Sequence, residues 1–278
     1  MRHRLAIVVA FLGLVFSSRA VAVNDRGLSL AFAPNNRASH VAIDHSAWAG
    51  ILRRHLQIGA DGINRFDYAN VGSSDGVALA AYLSSLEKVS PSGLNAAEQH
   101  AYWINFYNAL TVKVILDHYP VGSIRDITSG FLSSGPWDMP LVSVDGRTLT
   151  LNNIEHDILR ADWREPRVHY ALNCASVGCP NLQPVPYTGE NLDVELDAAA
   201  RGFVNHPRGV ALQAGRLSVS KIYSWYAGDF GGTDAAIIAH LRHYASPQLA
   251  SRLSGVSRID SYQYDWRLNA PGATFVLR

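Results

Sequence analysis

Residues 96–119 read AAEQHAYWINFYNALTVKVILDHY, a run that is apolar nearly all the way round a helix: Tyr102, Trp103, Ile104, Phe106, Tyr107, Leu110, Val112, Val114 and Ile115. A helix without a polar face is a buried one. Asn95 and Glu98 stand at capping-box spacing, with Asn in the place of Ser or Thr, and Pro120 follows the end. The spacing therefore predicts one long central core helix. Asn105 and Asn108 lie one turn apart inside this apolar surface, where an unpaired amide is costly. Either they bond to neighbouring backbone and fix a loop, or one of them forms the floor of a site.

Toward the N-terminus, apolar positions at Trp48, Ile51, Leu52 and Leu56 recur at helical spacing, and Val77–Val89 repeats the pattern. Between them, Asp61-Gly62 marks a turn and residues 64–70 read as a short extended piece. Toward the C-terminus, Asp145-Gly146 and Ala214-Gly215 sit between short apolar runs and predict two hairpins. Residues 151–163 (LNNIEHDILRADW) read as a short helix with Glu155, His156 and Arg160 in its first turns. Residues 189–204 and 234–244 read as further helices, and residues 261–269 as an aromatic tail, a last strand or a lid. No linker or repeat interrupts this order. It predicts a single α+β domain over residues 39–278, with a mainly antiparallel sheet packed on the buried central helix.

The 278 residues are 48% hydrophobic and 17% charged, enough for a sizeable core. The first 22 residues have a basic start, an apolar run from Leu5 to Phe16 and an Ala20-Val21-Ala22 end, the pattern of a secretory signal peptide. Residues 23–38 show no period and read as a lead-in segment. Removing the leader removes Arg2, Arg4 and Arg19 and leaves 21 basic against 23 acidic residues, a net charge of −2. Such a balance gives no electrostatic case for nucleic acid or an anionic membrane surface. The expected mature chain is periplasmic or secreted, without a membrane span, and acts on a small molecule or peptide.

Both cysteines lie in residues 167–182, RVHYALNCASVGCPNL. The run from Val168 to Leu172 is β-branched and aromatic and reads as a strand, ending at Asn173 in a loop of small residues. Cys174 as a nucleophile needs a base and a group that orients the base. His169 and His156 are the candidate bases, with Glu155 or Asn173 beside them. Along a strand, positions five apart point to opposite faces, so His169 meets Cys174 only if the chain bends near Asn173. In an oxidising compartment, a Cys174–Cys179 disulfide shaping the loop is the competing reading. Metal chemistry has little support: there is no HExxH and no CxxC pair, and His240 and His243 at i, i+3 more often face solvent. No metal or cofactor is expected.

Four successive motifs, AYWINFYNALTVKVIL, IEHDILR, VHYALNCASVGCPNL and KIYSWYAGDFG, resemble those of the exported family called domain of unknown function 547. The resemblance runs from about Trp48 to Asp229. It implies that Trp103, Asn105, Tyr107, Asn108, Glu155, His156, Arg160, His169, Asn173, Cys174 and Cys179 are this chain's copies of the family pattern. A central helix with Cys, His and Asn or Glu is also loosely similar to the papain and transglutaminase-like architecture, with the order of parts permuted. The function expected is thiol-dependent acyl transfer by an amidase, peptidase or transpeptidase-like enzyme. Its catalytic set is Cys174, His169, His156 and Glu155, with Asn105, Asn108, Arg160, Asn173 and Cys179 on the substrate side. The alternative is a non-catalytic binding module with a disulfide-shaped loop.

Overall fold

A computed structural model describes residues 25–128 and 135–277; the leader expected at residues 1–22 lies outside them. Helix α4, Ala96–His118, is the axis of the molecule. Tyr102, Trp103, Ile104, Phe106, Tyr107 and Ile115 along it are at most 1% exposed. Its start forms half of a capping box. The Asn95 side chain accepts a hydrogen bond from the Glu98 N–H at 3.0 Å. The Glu98 carboxylate, however, reaches away from Asn95 and accepts from the Ile43 N–H at 2.7 Å and the Gly189 N–H at 2.6 Å. A Cβ at residue 189 would stand 2.8 Å from Glu98 Oε2, so glycine lets that backbone come so close.

Helices α1 (Asp25–Phe32), α2 (Ser46–His55) and α3 (Ser73–Glu87) precede α4, with the hairpin β1 (Leu56–Ile58) and β2 (Asn64–Phe66) between α2 and α3. Helix α3 packs along α4, as does a π-helical segment, Asn153–Leu159, that continues into α5 (Arg160–Trp163). The hairpin β3 (Val142–Val144) and β4 (Arg147–Leu149) turns at Asp145-Gly146, and its Val142, Val144 and Leu149 join the α4 core. A second, smaller core lies between α7 (Leu192–Val204), the hairpin β5 (Val210–Gln213) and β6 (Arg216–Ser220), and α9 (Asp234–Tyr244). Short helices α6 (Val168–Ala171), α8 (Ile222–Trp225) and α10 (Pro247–Leu253) complete the helices, and β7 (Ser261–Gln263) pairs in parallel with β6.

The domain is α+β, with its central helix buried, and both hairpins stand at the turns expected. Three points differ from the sequence reading. First, the strands form three separate small sheets rather than one, and α4 is packed chiefly by helices. Second, the lead-in contains α1, whose Leu28 and Phe32, one turn apart, are buried in the main core, with Phe32 edge-on to Trp103 at 5.1 Å. One pair of buried positions a turn apart makes too short a pattern to show as a period. Third, Val168–Ala171 is a helical turn, not a strand. Its Val168, Ala171 and Leu172 face the main core at i, i+3, i+4 spacing while Tyr170 enters the second core. Docking between two cores overrides the β propensity of Val and Tyr. No helix among the described residues is long and apolar enough to cross a membrane.

The fully buried Ile115 on α4 and the 70% exposed Val194 on α7 give a direct check of this division. Ile115→Ala is expected to cost about 2–5 kcal/mol by urea unfolding, and Val194→Ala to stay within about 0.5 kcal/mol.

Candidate active site

The cysteine loop is attached to α4 by side-chain amides. Asn108 Nδ2 donates to the Ala171 carbonyl at 2.9 Å, and its Oδ1 accepts from the Asn173 N–H at 2.8 Å. Asn173 in turn spans the loop: its Oδ1 accepts from the Ala175 N–H at 2.9 Å and its Nδ2 donates to the Pro180 carbonyl at 2.7 Å. Ala175, directly after Cys174, has φ of +58°, a left-handed conformation uncommon for a residue with a Cβ. Asn105 bonds the backbone of Tyr187 in both directions, at 2.6 and 3.1 Å, and meets His45 at 3.2 Å. Both α4 amides are therefore occupied with loop backbone. Neither reaches the cysteines, nor does Asn173 hold a histidine.

The C-terminal tail closes the loop from the other side. Val177 N–H donates to the Arg267 carbonyl and Gly178 N–H to the Asp265 carbonyl, both at 2.8 Å, and Asn269 N–H donates to the Ala175 carbonyl at 3.0 Å. A Cβ at Gly178 would lie 2.6 Å from the Asp265 nitrogen, so this approach requires glycine. The tail thereby delivers Tyr264 and Trp266 beside the thiols.

Around these parts lies a cavity of about 220 Å³ that collects Cys174, Cys179, Glu155, His156 and His169. Its wall is aromatic, with Trp225, Tyr264 and Trp266 in mutual ring contact, Trp137 edge-on to Trp266, and Tyr107 and Tyr226 also in the lining. Glu155 and His156 come from the π-helical segment, a geometry that recurs at functional sites. A larger cavity of about 830 Å³ shares His156 with the first and contains Arg160 and Asp229, but neither cysteine.

His169 is held on two sides. Its Nε2 lies 2.7 Å from Asp229 Oδ2, and its ring stacks on Tyr226 at 4.1 Å. Because a carboxylate accepts, the proton is on Nε2 and Nδ1 is the nitrogen left free for chemistry. Asp229 also accepts from Arg160 Nε at 2.6 Å. The His169 hydrogen bond, working against burial and joined by Arg160, holds the Asp229 carboxyl well below the usual range. Arg160 Nη1 lies 2.9 Å from His156 Nδ1; a guanidinium only donates, so His156 bears its proton on Nε2. Arg160 is thus committed to Asp229 and His156, and it lies over the Tyr226 ring at 4.8 Å.

The two cysteines are free thiols rather than a disulfide, which corrects the pairing considered from their spacing. Cys179 is buried and Cys174 partly buried. The Tyr264 hydroxyl lies 3.1 Å from each sulfur and 3.0 Å from the Ser176 hydroxyl. No histidine makes a hydrogen bond to Cys174 among the described residues. His156 and His169 share its cavity but are held by Arg160 and Asp229. Asp229, Tyr226, Tyr264 and Trp266 were not singled out from the sequence as site residues. The motif around residue 229 and the aromatic tail were visible there, but nothing in their spacing ties them to the thiols. Among the described residues no three His, Cys, Asp or Glu side chains cluster as a metal site would need.

Residues 91–204 match the model of the family described as protein of unknown function, DUF547. The family resemblance of the sequence is thereby shown over this segment. The DUF547 segment contains α4, the π-helical segment and the whole cysteine loop. Tyr264 and Trp266, which complete the cavity, and Asp229, which holds His169, lie C-terminal to it. No curated protein and no solved structure matches the chain.

The Asp229 contacts carry a pH signature. A carboxyl depressed on folding contributes stability that is complete above its unfolded pKa, about 3.9, and is lost as pH falls toward the folded value. Urea midpoints are therefore expected to drop as pH is lowered through about 4, and Asp229→Asn is expected to flatten that drop while lowering the midpoint at neutral pH.

Proposed function

We propose that this chain is an exported thiol-dependent acyl-transfer enzyme of the amidase, peptidase or transpeptidase class, acting in the periplasm or outside the cell with Cys174 as nucleophile. The observation that carries this reading is the convergence on one cavity of a partly buried thiol, two histidines and a carboxylate. The leader-like residues 1–22 support export.

In this reading a substrate lies along the aromatic wall, which binds it by apolar contact and excludes water. The Cys174 sulfur attacks the acyl carbon. The carbonyl oxygen takes hydrogen bonds from the donors beside it, the Tyr264 hydroxyl and the Nε2–H of His156, where charge develops in the tetrahedral intermediate. His169, oriented through Nε2 by Asp229, exchanges a proton at Nδ1 with the leaving group and then with the acceptor that releases the acyl chain. Asn105, Asn108 and Asn173 serve the site by fixing the loop, not by touching substrate.

The test uses the full chain and a panel of aryl thioesters carrying short acyl or aminoacyl groups. A single acyl adduct on Cys174 by intact mass and peptide mapping is expected, with aryl thiol release falling about 1,000-fold or more in Cys174→Ala. Unchanged release by Cys174→Ala, or no adduct with any donor, contradicts the proposal.

A further inference from the structure

The acyl-transfer reading leaves one chemical requirement open: Cys174 must lose a proton, and no histidine bonds to its sulfur. The second thiol is joined to it through one hydroxyl. The Tyr264 hydroxyl lies 3.1 Å from the Cys174 sulfur and 3.1 Å from the Cys179 sulfur. Cys179 is also built to hold negative charge. Its sulfur accepts the Cys174 backbone N–H at 3.0 Å and faces the Tyr264 hydroxyl at 3.1 Å. A thiolate only accepts, so the Tyr264 hydroxyl donates to Cys179 when that sulfur is charged, with the Ser176 hydroxyl 3.0 Å from the phenol oxygen as its other partner.

A buried cation feels the charge of Cys179. Arg208 is 2% exposed and makes no salt bridge among the described residues. Its Nη1 donates to the Val177 carbonyl and its Nη2 to Asn181 Oδ1, while Nε has no hydrogen-bond partner among the described residues. Burial pulls this guanidinium down to about 10, and the charge that most opposes the pull is that of Cys179. A buried guanidinium without a carboxylate is costly unless an anion accompanies it, and Cys179 meets that need.

We propose that Cys179 is the thiolate of the resting site and the proton acceptor for Cys174. As the Cys174 sulfur forms its bond to the acyl carbon, the Cys174 S–H bond breaks; its proton passes to the Tyr264 oxygen as the phenol proton passes to the Cys179 sulfur. The carbonyl electron pair moves onto oxygen. When the intermediate collapses, the bond to the leaving group breaks; the proton passes from Cys179 through the cavity to Nδ1 of His169, which delivers it to that group, and the thiolate is restored. The chemistry is a proton relay and needs no oxidant.

The electrostatics agree with this assignment. Burial works to raise Cys179, but the hydrogen bonds from the Cys174 thiol, Tyr264, the Cys174 N–H and Ser176 outweigh it and hold the thiol down to about 6. The hydrogen bond to Cys179, together with burial, pushes Cys174 up. The other groups facing the pair are Tyr68, Tyr107 and Tyr264, each pushed up by burial first and then by neighbouring negative charge, so they stay neutral. Tyr226 is likewise raised by burial and then by Glu155.

The chain has two cysteines, so ultraviolet thiolate absorbance of the full protein reports this pair alone. Wild type and Cys174→Ser are expected to show a first thiolate below the range of an ordinary thiol. Cys179→Ser is expected to lose that transition, cutting the thiolate fraction at neutral pH by about 30-fold or more. The wild-type acylation rate is expected to follow the same transition, and that of Cys179→Ser to recover only at alkaline pH. A low transition that survives in Cys179→Ser, or that disappears in Cys174→Ser, overturns the proposal. This inference rests on the acyl-transfer reading for its catalytic sense, but the titration needs no acyl donor. A failure of the thiolate assignment is therefore separate from a failure to form the acyl adduct.

Discussion

The site depends on two side-chain amides, Asn108 and Asn173, that replace secondary structure where the chain has none. Residues 172–182 run through the interior as loop, and their backbone groups need partners that no strand or helix provides. Asn108 satisfies Ala171 and Asn173; Asn173 satisfies Ala175 and Pro180. Because both amides are buried, each bond is made away from competing water, and leaving either end unpaired costs about 1–3 kcal/mol. The left-handed turn at Ala175 is held within this frame, and the frame places the Cys174 N–H and sulfur against Cys179.

The cavity lies at the seam of the two cores. Helix α6 crosses the seam, with Val168 and Ala171 on one side and Tyr170 on the other, and His169 is left to line the cavity. Tyr107 comes from the most buried helix and Trp266 from the end of the chain. A rigid helix, a π-helical segment and a tail thus meet at one place. The tail contributes no regular strand there, but its backbone pairs with the cysteine loop through Arg267, Asp265 and Asn269. Chemistry and stability are linked at this point: the same residues that close the fold position Tyr264 between the sulfurs.

Much of the frame was legible in the sequence because its signals are local. The apolar circumference of α4, the Asn95 cap and the Asp145-Gly146 turn each sit within one element. The bland role for Asn105 and Asn108, bonding to backbone, is the one their geometry supports. The strand expected at Val168–Leu172 is a helix because two cores claim its side chains, a tertiary fact absent from any window of residues. Asp229 and Tyr264 were overlooked as site residues for a similar reason: one is 60 and the other 90 positions from the residue it bonds. Arg208 gave no sign at all, since its importance lies in the carboxylate it lacks.

Everything proposed for the site requires both sulfurs to be present as thiols in the folded protein. Intact mass of the native protein, purified without reductant and alkylated after unfolding, tests this directly. Addition of two alkyl groups is the predicted result. A protein that takes up none until it is reduced has a Cys174–Cys179 disulfide, and that result would contradict the account.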